Sequence, residues 1–357
     1  MKRLLFAVLS LASLALQAAE PVRRDLAIAA DDGTALHLRH VQIGDAGRPI
    51  LLLHGARVAG VASFDLPVSG GSLAADLAGR GFDVYILDVR DYGGSGLPPG
   101  MAASPDGQPA LVRSSAAVHD IDAAVAFIRR QRKGEPVALF GWATGGQWAG
   151  HYASLHGGKL SALIMLNSLY RGNGAHPLIG RGSALDDPAR PGSFRRAACG
   201  AYRYNDAASI LRPWDTSIPG EDKSAWRDPA VAQAYARAAL VADASSAQRS
   251  PPSARSPCGA LEDSFYLASG RQLWDASLVT TPTLALRGER DFWSRPEDLD
   301  HLAKDLVHAP AVRTLTLPDT SHFVHLEHAG RGRDQLLREI DAFVPAVPAQ
   351  LVKRPSK

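Results

Sequence analysis

The chain has 357 residues, 46% of them hydrophobic and 21% charged, a balance that excludes a disordered chain and a multi-span membrane protein. At about 100 to 200 residues per domain, the length suits one large domain or one domain carrying an insertion. The formal charge of +3 includes Lys2 and Arg3, so the rest of the chain carries 3 − 2 = +1, which gives no electrostatic basis for binding nucleic acid.

Residues 1–19 read MKRLLFAVLSLASLALQAA: a basic start, an apolar run from Leu4 to Leu16, and small residues before Glu20. That is the pattern of a secretory signal peptide cleaved after Ala18 or Ala19. The run is shorter than the roughly 20 residues of a membrane span, and no later stretch is longer, so no stable membrane anchor is expected. The expected location is the periplasm or the medium. In such an oxidising compartment the only two cysteines, Cys199 and Cys258, are expected to form a disulfide.

From residue 20 the sequence alternates strand-like and helix-like segments, the signature of a mostly parallel sheet covered by helices. Leu26 to Ala30 and Ala35 to Gln42, separated by Asp31, Asp32 and Gly33, predict a hairpin. Ile50 to Leu53 and Val84 to Val89 are unbroken apolar runs, as expected of strands buried on both faces. A helix is predicted from Leu73 to Leu77. A second begins near Ser114 or Ser115 as cap, with Val118, Ile121, Val125 and Ile128 on one face. Strand Val137 to Trp142, helix Thr144 to Leu155 and strand Ala162 to Leu166 follow.

Over residues 168–280 the alternation stops. It resumes with strand Thr283 to Leu286, a helix opened by Pro296, strand Val312 to Leu317, and a helix from Arg331 to Phe343. The expected organisation is therefore a leader at 1–19, a core formed by 20–167 and 281–347, a cap or lid inserted at 168–280, and a tail at 348–357. The insertion holds ten of the chain's 24 aromatic residues (6 Trp, 8 Tyr, 10 Phe). Such aromatics either line an apolar substrate pocket or pack the insertion's own small core, the second being expected of most; Tyr202 and Trp214 are the candidates for substrate contact, with Tyr204, Trp226 and Trp274 as further ones.

The segment VALFGWATGGQWAG sets Gly141-Trp142-Ala143-Thr144-Gly145-Gly146 between a buried strand and a helix. A sharp strand-to-helix turn needs small residues two before and two after its apex, and Gly141 and Gly145 fill those places around Ala143. Here the chain resembles the α/β-hydrolase superfamily, over roughly residues 45–166 and 281–343, and the resemblance makes Ala143 the nucleophile position. It also implies an acid at Asp291, in LALRGERDFW, and a base at His322, in TLPDTSHFVHLE, in the order nucleophile, acid, histidine. LLLHGARVAG resembles the His-Gly turn, which implies an oxyanion hole made by the N–H groups of Ala56 and Thr144. Arg57 and Trp142 flank these groups and are further candidates for substrate contact. Asp88, Arg90 and Ser95, in DVRDYGGSG, read as structural.

Alanine cannot attack a carbonyl. Thr144 is a poor substitute, because making it the apex puts Trp142 where a small residue is required. Two readings of Ala143 stand. One is a serine hydrolase for a carboxylic ester, lactone or amide whose nucleophile is replaced. The other is a natural ligand-binding relative that does not hydrolyse. The expected partner is a small-molecule or short-chain ester or amide. With no phosphate loop, dinucleotide fingerprint or patterned ligand set, no cofactor and no metal are expected, His322, His325 and His328 forming only a loop run.

Overall fold

A computed structural model describes residues 19–344 of the chain apart from 46, 98, 174 and 175. The expected leader, except Ala19, and the expected tail lie outside the described residues. The first half builds β1 (Val22–Ala29), β2 (Ala35–Gln42), β3 (Arg48–Leu53), α1 (Gly60–Phe64), α2 (Leu73–Ala78), β4 (Phe82–Asp88), α3 (Ser114–Gln131), β5 (Val137–Trp142), α4 (Thr144–His156) and β6 (Leu160–Leu166). After residue 168 come β7 (Tyr202–Asp206), α5 (Ala207–Ser217), α6 (Pro229–Val241), β8 (Ser253–Pro257) and α7 (Gly259–Ala268). The chain then returns through β9 (Thr283–Gly288), α8 (Pro296–Asp305), β10 (Val312–Leu317) and α9 (Arg333–Phe343).

Eight strands form one sheet in the order β1-β2-β4-β3-β5-β6-β9-β10. The pairs β1·β2 and β2·β4 are antiparallel, and every later pair is parallel. Successive side chains of a strand point to opposite faces, so the apolar runs feed two cores. Ile50, Leu52, Val84, Ile86, Ala138 and Phe140 pack on one side. Leu51, Leu53, Tyr85, Leu87 and Leu139 pack on the other, against the α3 face of Val118, Ile121, Val125 and Ile128.

The predicted serine cap of α3 is corrected. Ser114 is the helix's first residue and Arg113 occupies the cap position without a side-chain bond. The capping acceptor instead comes from α7: the Ser114 N–H donates to Asp263 Oδ2 at 2.6 Å, which ties the inserted segment to the core helix. Residues 168–280 are also more regular than their sequence suggests. They hold α5, α6, α7 and the antiparallel β7·β8 ribbon, and they enter and leave between the neighbouring strands β6 and β9. The disulfide Cys199–Cys258 closes the end of that ribbon, where Tyr202 pairs with Pro257.

The loop after β4 behaves as a structural latch. Asp88 Oδ1 accepts from the Gly60 N–H at 2.7 Å, Asp88 Oδ2 from the Gly94 N–H and the His37 Nδ1–H, and Arg90 forks onto Asp120. In the same loop Asp91 has φ 69, and burial pushes its carboxyl up to about 7. The unfolded chain releases this proton at about pH 4. Between that value and about 7 the native state binds the extra proton, so this group lowers stability as pH rises through that window. Asp91→Asn keeps the left-handed backbone available and removes the charge. It is expected to stabilise by roughly 2–4 kcal/mol at pH 8 and by much less at pH 4.5, as read from the Tm at each pH.

Candidate active site

The turn between β5 and α4 is as sharp as its glycines imply. Ala143 sits at φ 53 and ψ −117, and its N–H donates to the Leu166 carbonyl at 2.8 Å. A Cβ on Gly141 would lie 2.2 Å from the Gly145 carbonyl oxygen, and one on Gly145 would lie 2.2 Å from that of Leu53. Neither position can carry a side chain without moving backbone. Thr144 opens α4, so its N–H belongs to the first-turn donors that have no partner within the helix.

Asp291 and His322 come from the two loops that follow β9 and β10. The His322 Nδ1–H donates to Asp291 Oδ1 at 2.6 Å, which leaves Nε2 as the ring's other nitrogen. Asp291 is held in turn: its Oδ1 accepts from the Trp293 N–H at 3.0 Å, and its Oδ2 accepts from the Ser294 N–H at 2.8 Å and from the Ser294 hydroxyl. The rings of Trp142, Phe292 and Phe323 surround the imidazole with centroids at 5.2, 4.8 and 5.2 Å. The histidine's backbone is fixed as well, because its carbonyl accepts from Trp142 Nε1 and from Asn167 Nδ2, each at 3.0 Å.

Asn167 is a site-supporting residue that the sequence reading missed. Its Oδ1 accepts from the Gly288 N–H at 2.7 Å, so one amide ties the ends of β6 and β9 to the His322 loop. Its φ of 52 is a conformation asparagine tolerates better than most residues. An asparagine directly after an apolar strand was the available signal.

The His-Gly loop meets the elbow from the other side: a Cβ on Gly55 would lie 3.6 Å from that of Ala143. His54 is fully buried, and burial pushes its pKa down. Its Nδ1–H donates to the Gly55 carbonyl at 2.7 Å and its Nε2 accepts from the Val89 N–H at 3.2 Å. The ring therefore works as a neutral brace with both nitrogens used. The Ala56 carbonyl accepts from the Tyr92 hydroxyl at 2.9 Å, which fixes the peptide beside the elbow.

These groups open on one cavity of about 560 Å³, lined by Ala56, Arg57, Trp142, Ala143, Thr144 and His322, with Phe292, Phe323 and Tyr235 among its apolar wall. Tyr202 and Trp214, expected to touch substrate, are not among its lining residues. Trp214 is fully buried, stacks on Phe323 at 5.0 Å and donates its Nε1–H to Glu327. Tyr202 packs with Met101 and donates its hydroxyl to the Ala103 carbonyl at 2.7 Å. Trp226 and Trp274 are buried in the two main cores, and Tyr204 lies on the surface. Periodicity could not separate an aromatic that faces the cavity from one that fills the core behind it. Tyr202→Phe is expected to cost about 1 kcal/mol of stability and leave ligand affinity unchanged. Phe292→Leu should do the reverse, weakening binding several-fold at nearly constant Tm. Calorimetric titration beside a melting curve separates the two.

His322, His325 and His328 diverge. His325 is buried against Trp142 at 4.4 Å, and burial pushes its pKa well below the ordinary value. His328 Nε2 reaches the Ser224 carbonyl. Among the described residues no group of three or more His, Cys, Asp or Glu side chains could hold a metal ion.

The sequence matches the profile of the α/β-hydrolase fold over residues 48–329. The chain belongs to the α/β-hydrolase family. Among solved structures it is similar to an esterase from Rhodococcus sp. ECU1013, at 17% identity and TM-score 0.57, covering 90% of this chain and 99% of that one. It is also similar to a thermophilic esterase from Thermogutta terrifontis, at 20% identity and TM-score 0.55, covering 90% and 100%. A third relative in shape is E-2-(acetamidomethylene)succinate hydrolase, at 14% identity and TM-score 0.55, covering 91% and 99%. At such identities the likeness concerns the fold. No curated protein matches the chain.

Proposed function

We propose that the chain is a serine-hydrolase framework for a carboxylic ester, with a lactone or amide as neighbouring substrates, in which Ala143 stands where the nucleophile belongs. The observation that carries this reading is the 2.6 Å His322–Asp291 hydrogen bond, made by two residues from separate loops beside the cavity that Ala143 lines. A hydroxyl at position 143 would attack the substrate carbonyl and give its proton to His322 Nε2. The imidazolium would then return that proton to the departing alcohol, and water would release the acid by the same route. Asp291 fixes the tautomer and compensates the imidazolium, while the Ala56 and Thr144 N–H groups receive the oxyanion.

In its present form the chain binds substrate but cannot form an acyl-enzyme. Residues 168–280 act as the cap, with Ile210, Pro213 and Tyr235 of that segment among the cavity wall. The leader-like start and the Cys199–Cys258 bridge support export to the periplasm or the medium. The alternative of a natural non-catalytic binder is favoured by Ala143 itself. Hydrolysis by an Ala143→Ser variant distinguishes the two, since a binder whose loops have drifted by about 1 Å would gain little from one hydroxyl.

A further inference from the structure

Three arginines line the cavity with the elbow and His322: Arg57 from the His-Gly loop, Arg203 from β7 and Arg212 from α5. The lining contains no aspartate or glutamate. Several arginines elsewhere in or against the inserted segment have carboxylate partners. Asp243 takes both Arg249 and Arg255, Asp215 takes Arg227, and Asp263 takes Arg113. The cavity arginines are treated differently. Arg57 is fixed by donating Nη1–H to the Ser209 carbonyl at 2.9 Å, a neutral partner that leaves its charge uncompensated. Arg203 has its Nε buried with no hydrogen-bond partner, and the positive charge of Arg57 acts on it. Burial and that neighbour push Arg203 down to about 10, while burial and the Arg212 charge push Arg57 below its ordinary range. A half-buried cation with no counter-charge is unfavourable unless something supplies one. A guanidinium that keeps its fork free matches a carboxylate in a bidentate way.

We propose that these arginines form a carboxylate subsite in the cavity, and that the ligand is an ester or amide carrying a second, free carboxylate bound by Arg203 and Arg57. Arg212, exposed on α5, adds positive potential at the cavity that favours anion entry. The position of the bond to be cleaved, at Ala143 and His322, rests on the hydrolase reading; the charge of the ligand does not. The apolar wall of Phe292, Phe323 and Tyr235 takes the ligand's carbon chain.

The test titrates the chain, with Ala143 in place, with monoethyl adipate and with its neutral counterpart diethyl adipate in a calorimeter. The monoester is expected to bind at least about tenfold more tightly, with an affinity that weakens as salt is raised, and Arg203→Met should bring the two ligands within about twofold. Arg203→Lys, which keeps the charge but loses the fork, should retain part of the preference. Because Arg203 has no ion pair to lose, the Tm of Arg203→Met should equal or exceed the parent's, so lost binding cannot be ascribed to unfolding. Equal affinity for the two esters, no binding of the monoester, or a preference that survives in both Arg203→Met and Arg57→Met overturns the subsite. The two readings separate in Ala143→Ser. Turnover of both esters with equal kcat/KM leaves the hydrolase and removes the subsite. Arg203-dependent binding of the monoester without turnover leaves the subsite and removes the hydrolase.

Discussion

Replacing Ala143 by serine is expected to raise ester hydrolysis by several orders of magnitude. Removing the nucleophile from a working triad costs on the order of 10⁶ in turnover, and what then remains comes from oxyanion stabilisation and binding. The other parts already stand: Ala143 at φ 53 would present an Oγ from the apex, the imidazole is oriented by Asp291 at 2.6 Å, and the His-Gly loop is braced through His54. The gain should vanish in the double variant Ala143→Ser, His322→Ala. Asn167→Ala should reduce kcat more than it raises KM, since its amide fixes the His322 loop and lines no part of the cavity. Rates on a panel of short-chain and long-chain esters, lactones and amides provide the measurement.

The second large effect concerns stability. The Cys199–Cys258 bond joins residues 59 apart, and on the chain-entropy model a closed loop of that length is worth about 4 kcal/mol. It sits at the end of the β7·β8 ribbon that carries Arg203, a lining residue of the cavity. Reductant, or the double variant Cys199→Ser, Cys258→Ser, is expected to lower the Tm by several degrees and to weaken ligand binding. Peptide mapping without reduction should yield the linked pair. Alkylation of both cysteines without prior reduction would remove the claim.

The inner strands β3, β4, β5, β6 and β9 were legible in the sequence because they are buried on both faces and so read as apolar runs, whereas the edge strand β10 is mostly exposed. Val137–Trp142 and Val312–Leu317 were placed to the residue, and β3, β4, β6 and β9 to within one or two residues at either end. The elbow was legible because its crowding admits only glycine at positions 141 and 145. The inserted segment was not. Its helices are short, α5 contains Pro213, and they pack through aromatics that follow no clear period. For the same reason Tyr202 and Trp214 looked like ligand contacts, while Arg203 attracted no notice. An arginine in a strand looks exposed until its partners, or their absence, are known. The cap of α3 shows a further limit, because Asp263 reaches Ser114 from 149 residues away and no local pattern announces it.

Covalent labelling tests the arrangement around Ala143 most directly, because it requires no knowledge of the substrate. A fluorophosphonate reacts with a serine only where a general base and an oxyanion hole activate it. Intact-mass spectrometry of Ala143→Ser after exposure to such a probe should show one adduct, mapped to position 143. The parent chain should show none, and the double variant Ala143→Ser, His322→Ala should react at least about a thousandfold more slowly. A folded Ala143→Ser protein that takes no label, or labels equally fast without His322, would contradict a hydrolytic site built on Asp291 and His322.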